Sequence, residues 1–90
     1  MLLLHIVFAG TVQGVGFRYF VKRKADQFGV KGFVRNLPDG TVEVMAEGDE
    51  DVLKEFMSAI EKGPPLAEVT GLRYEFIDKD GGFSDFEIQY

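Results

Sequence analysis

The spacing of apolar residues switches between two and about four along this chain of 90 residues, and each switch marks where a strand gives way to a helix. Residues 2–12 alternate, with Leu2, Leu4, Ile6, Phe8 and Val12 on one side, which predicts a first strand. Gly10 interrupts that side, where a bulge or a close backbone approach is expected. From Phe17 the period changes: Phe17, Val21, Ala25 and Phe28 form one stripe of an amphipathic helix, and Gly29 stops it. Residues 30–37 form a second strand, Pro38-Asp39-Gly40 a turn, and residues 41–47 a third strand. In that third strand Val42, Val44 and Ala46 are expected inward, Glu43 and Glu47 outward. The acidic run Asp49-Glu50-Asp51 suits the positive end of a second helix, whose buried stripe is Val52, Phe56 and Ile60, flanked by Leu53 and Met57. Gly63-Pro64-Pro65 closes that helix. Residues 68–78 follow as a strand with Leu72, Tyr74 and Phe76 on one face, and residues 83–90 as a closing strand.

The order β-α-β-β-α-β with an additional C-terminal strand predicts a ferredoxin-like α/β sandwich. Two helices are expected on one face of an antiparallel sheet, within a single domain spanning residues 1–90. A chain that is 46% hydrophobic, with nine Phe, has the material for one small core. It has no cysteine, which removes disulfides, thiolate metal sites and a Cys nucleophile together and favours a reducing, cytoplasmic setting. The Leu2-Leu3-Leu4 run lacks a basic flank and is far too short to span a membrane, so no membrane association is expected. The fold hosts many functions, so chemistry has to be read from a site.

Charge is unevenly spread. Against a formal net charge of −5, residues 1–36 carry six basic side chains and one acid, whereas residues 37–90 carry four basic side chains and fourteen acids. Two explanations stand side by side: surface charge scattered without purpose, or a local positive field that steers a small anion.

The unusual stretch is Gly14-Val15-Gly16-Phe17-Arg18, between the first strand and the first helix. Glycines there permit positive φ, so successive N–H groups can point into one concavity, and the helix start adds its own free N–H groups. Arg18 falls at that helix start, where a cation opposes the dipole by about 0.3–1 kcal/mol. A bound anion reverses that penalty, and a guanidinium donates two bonds to one phosphate group. A plain turn with a solvated Arg fits the same residues. The second candidate is Asn36, at the end of the second strand, whose amide both donates and accepts hydrogen bonds; turn capping beside Pro38 and Asp39 accounts for it equally well. His5, the only histidine, falls mid-strand and is expected on a sheet face, not as a base or metal ligand. Without a His base or a paired Ser nucleophile, any reaction must proceed by positioning and charge.

Taken together, Val12-Gln13-Gly14-Val15-Gly16-Phe17-Arg18 and Gly32-Phe33-Val34-Arg35-Asn36-Leu37-Pro38-Asp39-Gly40 resemble the two signature segments of the acylphosphatase family. The resemblance continues through Val42-Glu43-Val44, Glu47-Gly48 and Gly63-Pro64-Pro65. It implies a ferredoxin-like fold and hydrolysis of small acyl phosphates to a carboxylate and inorganic phosphate, without metal or cofactor. It also implies that the loop backbone at Gln13, Gly14, Val15, Gly16 and Phe17, together with Arg18, binds the phosphate, and that Asn36 orients the attacking water. Two positions depart from the family pattern: Thr11 where many members carry a basic residue, and Phe33 where many carry Trp. The same motifs occur as domains of larger carbamoyl-transfer maturation enzymes, and the closing strand at the chain's end gives the expectation of a stand-alone enzyme.

Two rival readings share the strand-helix order. An RNA-binding domain is disfavoured because the third strand offers no aromatic for base stacking and the net charge is negative. A regulatory module that binds a ligand without consuming it, dimerising through its sheet, is the stronger rival. The resemblance implies an acyl phosphate and inorganic phosphate as partners, and the negative charge argues against nucleic acid.

Overall fold

The computed structural model describes residues 1–90 as seven elements: β1 (Leu2–Thr11), α1 (Phe17–Phe28), β2 (Lys31–Asn36), β3 (Val42–Gly48), α2 (Glu50–Ile60), β4 (Glu68–Ile77) and β5 (Phe86–Gln89). No helix is long and apolar enough to cross a membrane. The order is the one the periodicity predicts. The phase is right as well: Leu4, Ile6 and Phe8 of β1 are fully buried, as are Val42, Val44 and Ala46 of β3. With Phe17, Val21 and Ala25 of α1, they belong to one core of 16 residues between the sheet and the helices. In α2 the stripe is rotated from the expected one. Leu53, Phe56 and Ile60 are buried, and Val52 packs only partly against them. Each such side chain contributes roughly 1.5–3 kcal/mol by leaving water.

The strands lie in the order β4-β1-β3-β2-β5. Contacts among β4, β1, β3 and β2 are antiparallel, but β5 runs parallel to β2, so the sheet is mixed and not antiparallel as expected. The reason is the route of the chain. β4 ends at Ile77 beside Leu3, and β5 begins at Phe86 beside Gly32, both at the sheet end where β1 and β2 start. A strand setting out from that end has to follow the direction of β2.

Residues 78–85 make the crossing over the sheet face opposite the helices, so the closing strand starts at Phe86 and not at Phe83. The ring of Phe83 stands edge-on to Phe33 with centroids 6.0 Å apart. Gly81 N–H donates to Glu47 Oε2 at 2.6 Å, which explains why Glu47, expected in solvent, is only 9% exposed.

Gly10 does what its position predicts. Its φ is 121°, the β1–β4 register shifts between Ala9 and Gly10, and a Cβ there would overlap the Glu68 carbonyl oxygen. The bulge bends β1 just before the chain enters the 12–16 loop.

Candidate active site

The end of β1, the start of α1, the end of β2 and the end of β5 lie at the same end of the sheet, because β1, β2 and β5 all point that way. The connection from β1 to α1 is anchored by Phe17, whose ring meets Phe8 edge-on at 5.1 Å. Gly14 and Gly16 have φ of 74° and 80°. No atom lies within 4 Å of where a Cβ would stand on either, so the backbone conformation, not lack of space, calls for glycine. An L-residue in that region costs about 1–2 kcal/mol.

Gly16 is also the N-cap of α1, and no side chain caps the helix there. The first turn contains no acid either. The free N–H groups and positive dipole end of α1 are thus left uncompensated by the protein. They face a cavity of about 170 Å³ lined by Gly14, Gly16, Phe17, Arg18 and Asn36, with Val12 and Tyr19 completing the wall. Pockets for drug-sized ligands run to roughly 300–1,000 Å³, so this one suits a small anion.

Arg18 is half-buried. Its Nη1 donates to the Gln89 carbonyl at 3.1 Å, and its guanidinium lies 4.7 Å from the centroid of the Tyr90 ring. The ion pairs of the molecule join other residues, so Arg18 is held by a neutral carbonyl and an aromatic face. Its charge is positioned but not neutralised. Asn36 closes β2 opposite Val42. Its Oδ1 is buried with no hydrogen-bond partner, the one such side-chain atom in the molecule. Leaving a buried acceptor unpaired costs about 1–3 kcal/mol, and functional groups are a recognised reason for it.

Gln13 faces the other way. Its Nε2 donates to the carbonyls of Leu37 at 2.8 Å and Thr41 at 2.9 Å, clamping the glycine loop to the β2–β3 turn. That turn is closed by Leu37 N–H donating to Thr41 O, and by Asp39, which accepts from Thr41 N–H and Oγ1. Those bonds from Thr41 hold the Asp39 carboxyl below its ordinary range. Val15 is partly buried against the core. Gly14, Gly16, Phe17, Arg18 and Asn36 line one cavity, while the side chains of Gln13 and Val15, residues expected to act through their backbone, fasten the loop that forms it.

Sequence reasoning missed Gln89, Tyr90 and Tyr19. The alternation of Phe86, Ile88 and Tyr90 marks a strand but carries no sign that its end reaches Arg18. Tyr19, one residue after Arg18, falls outside the α1 stripe, which was the only available hint that it faces outward.

His5 lies on the helix-free face, as expected. Its Nε2 donates to Glu43 Oε2 at 2.8 Å, and Arg35 Nε donates to Glu43 Oε1. Burial alone would raise the Glu43 carboxyl, but the bonds from His5 and Arg35 outweigh it and hold the group below its ordinary range. A wider depression of about 320 Å³ on this face, lined by His5, Val7, Arg73, Tyr74 and Glu75, mixes both charge signs and lies away from the glycine loop.

The family model for acylphosphatase matches residues 4–88 of the chain. Relatives named acylphosphatase from Bacillus licheniformis and Archaeoglobus fulgidus are 50% and 47% identical over 90 residues, with 100% of each chain covered. The crystal structure of acylphosphatase from Bacillus subtilis aligns with a TM-score of 0.97 at 42% identity, again over 100% of both chains.

Proposed function

The chain belongs to the acylphosphatase family and hydrolyses acyl phosphates, and we propose that the cavity between the glycine loop and Asn36 is where it does so. The observation that carries this reading is the meeting, in one small cavity, of an unneutralised Arg18, the uncapped start of α1 and Asn36. The free N–H groups of the 13–17 segment and the Arg18 guanidinium hold the phosphate oxygens. The Asn36 amide hydrogen-bonds the attacking water and aligns it with the phosphorus.

The chemistry asks for little more. An acyl phosphate is a mixed anhydride whose leaving group is a carboxylate, with an ordinary pKa near about 4. The water oxygen bonds to phosphorus as the bond to the acyl oxygen breaks, and the electron pair leaves with the carboxylate. In a loose transition state the water is scarcely deprotonated, so its proton passes afterwards to a phosphate oxygen or to solvent. Alignment and charge on the equatorial oxygens supply the catalysis. The products are a carboxylate and inorganic phosphate, and the latter is expected to occupy the cradle as a competitor. A reducing, cytoplasmic setting suits a core built without cysteine.

The test is hydrolysis of benzoyl phosphate by the purified protein with a chelator present. Arg18→Ala is expected to abolish turnover and phosphate inhibition together. Asn36→Ala is expected to lower kcat on the order of a hundredfold with a smaller change in KM. Turnover that survives both substitutions overturns the site; no turnover by the unaltered protein overturns the functional reading itself.

A further inference from the structure

Resting on that reading, the structure assigns a specificity role to Tyr19: we propose that its ring forms the wall against which the acyl group of the substrate lies, so that the enzyme favours acyl phosphates carrying a flat, aromatic acyl group. Once the phosphate is in the cradle, the acyl group must project towards the mouth of the cavity. Few side chains are available to meet it there. Val12 and Phe17 line the cavity but are 1% exposed and belong to the core. Gly14 and Gly16 have no side chain. Arg18 and Asn36 are committed to the phosphate and the water.

Tyr19 is left, lining the same cavity while 66% exposed, one of five large apolar side chains the molecule leaves in solvent. Its place in α1 explains how it gets there. It is the third residue of the helix, and helical side chains tilt back towards the N-terminus, here towards Gly14 and Gly16. An exposed aromatic that supports no core contact and borders a reacting site is suited to stacking on a planar group. In-line attack adds a constraint: the leaving carboxylate departs on the side away from the water, hence away from Asn36. Among the lining side chains, only Tyr19 is both free and apolar.

The experiment compares benzoyl phosphate with acetyl phosphate in the unaltered enzyme, Tyr19→Ala and Tyr19→Phe. Differences in leaving-group reactivity are common to all three proteins and cancel when the ratio of kcat/KM for the two substrates is compared between them. Tyr19→Ala is expected to lower the benzoyl-to-acetyl ratio roughly three- to tenfold, chiefly through KM for benzoyl phosphate, because stacking is present before and during the chemical step. Tyr19→Phe is expected to keep the ratio of the unaltered enzyme. An unchanged ratio in Tyr19→Ala overturns the proposal. Equal losses on both substrates also overturn it, since Tyr19 would then act through the phosphate cradle. Failure of the unaltered enzyme to hydrolyse either substrate is a different result, and it removes the functional reading on which the proposal rests.

Discussion

At the scale of single residues, the candidate site consists of departures from what each local position would otherwise prefer. A cation occupies the first turn of a helix, a glycine stands where a capping Ser or Asp is favoured, and an asparagine oxygen is buried without a partner. The cation opposes the dipole by about 0.3–1 kcal/mol, the glycine cap gives up roughly a few tenths, and the unpaired oxygen costs about 1–3 kcal/mol; in the proposed reading a bound phosphate relieves the first two. Gln13 belongs to the same set in a different capacity. Both N–H groups of its amide are used on the carbonyls of Leu37 and Thr41, so it couples the glycine loop to the turn that follows Asn36. Gln13→Ala is expected to lower kcat on the order of tenfold or more, with a smaller change in the phosphate inhibition constant, because small displacements of the water relative to the phosphorus are costly. Gln13→Glu, nearly isosteric but without donors, is expected to be at least as impaired; steady-state kinetics on both variants check this. The double-glycine loop, Arg18 and Asn36 were all legible in the sequence as candidates. The direction in which Gln13 points was not, since a side chain clamping a distant turn leaves no local pattern.

At the scale of elements, strands and helices followed from the spacing of apolar residues because one face of each is buried against the other layer. Where a second contact acts on the face expected to be open, that logic failed: Glu47 alternates outward correctly, yet the 78–85 crossing covers it. The rotation of the α2 stripe from Val52 to Leu53 has a similar origin, because two adjacent apolar residues leave the helix phase to be settled by packing. The helix-free face also carries a titratable link among three strands, with His5 on β1 and Arg35 on β2 both donating to Glu43 on β3. The Glu43 carboxyl lies below its ordinary value of 4.5 in the folded protein, so the folded state binds this proton less readily than the unfolded chain. The stabilisation is therefore full above about pH 4.5 and is lost as the pH falls through the lowered native value. Glu43→Gln is expected to be about 1–2 kcal/mol less stable at pH 7, with the difference shrinking below about pH 4.5. Urea unfolding at pH 7, 4 and 3 reads both parts of that expectation.

For the whole molecule, the decisive event is the return of the chain from one edge of the sheet to the other. It makes β5 parallel to β2 and delivers Gln89 and Tyr90 to the end of the sheet where α1 begins. Arg18 is then oriented by a carbonyl and a ring 71 and 72 residues away, neither of which neutralises it. Tyr90 is 93% exposed, so its removal should leave the core intact. Tyr90→Ala is expected to raise KM for benzoyl phosphate about two- to fivefold, the range of an exposed cation–π contact, with the thermal midpoint nearly unchanged. A large loss of stability would show instead that β5 depends on the ring. The opposite charges of the two parts of the sequence acquire a location as well, since the basic first part includes both Arg18 and Asn36.

The sequence by itself determined the element order and the buried faces of the first and third strands and of α1, and it singled out the glycine loop, Arg18 and Asn36 as candidates, because these depend on periodicity, glycine backbone freedom and motifs contiguous in the chain. Only the tertiary structure decided the parallel placement of β5, the burial of Glu47, the clamp made by Gln13, and the meeting of Arg18 with Gln89 and Tyr90. Those depend on contacts between residues far apart in the chain, whose partners are chosen by how the layers pack and by the path the chain takes across them.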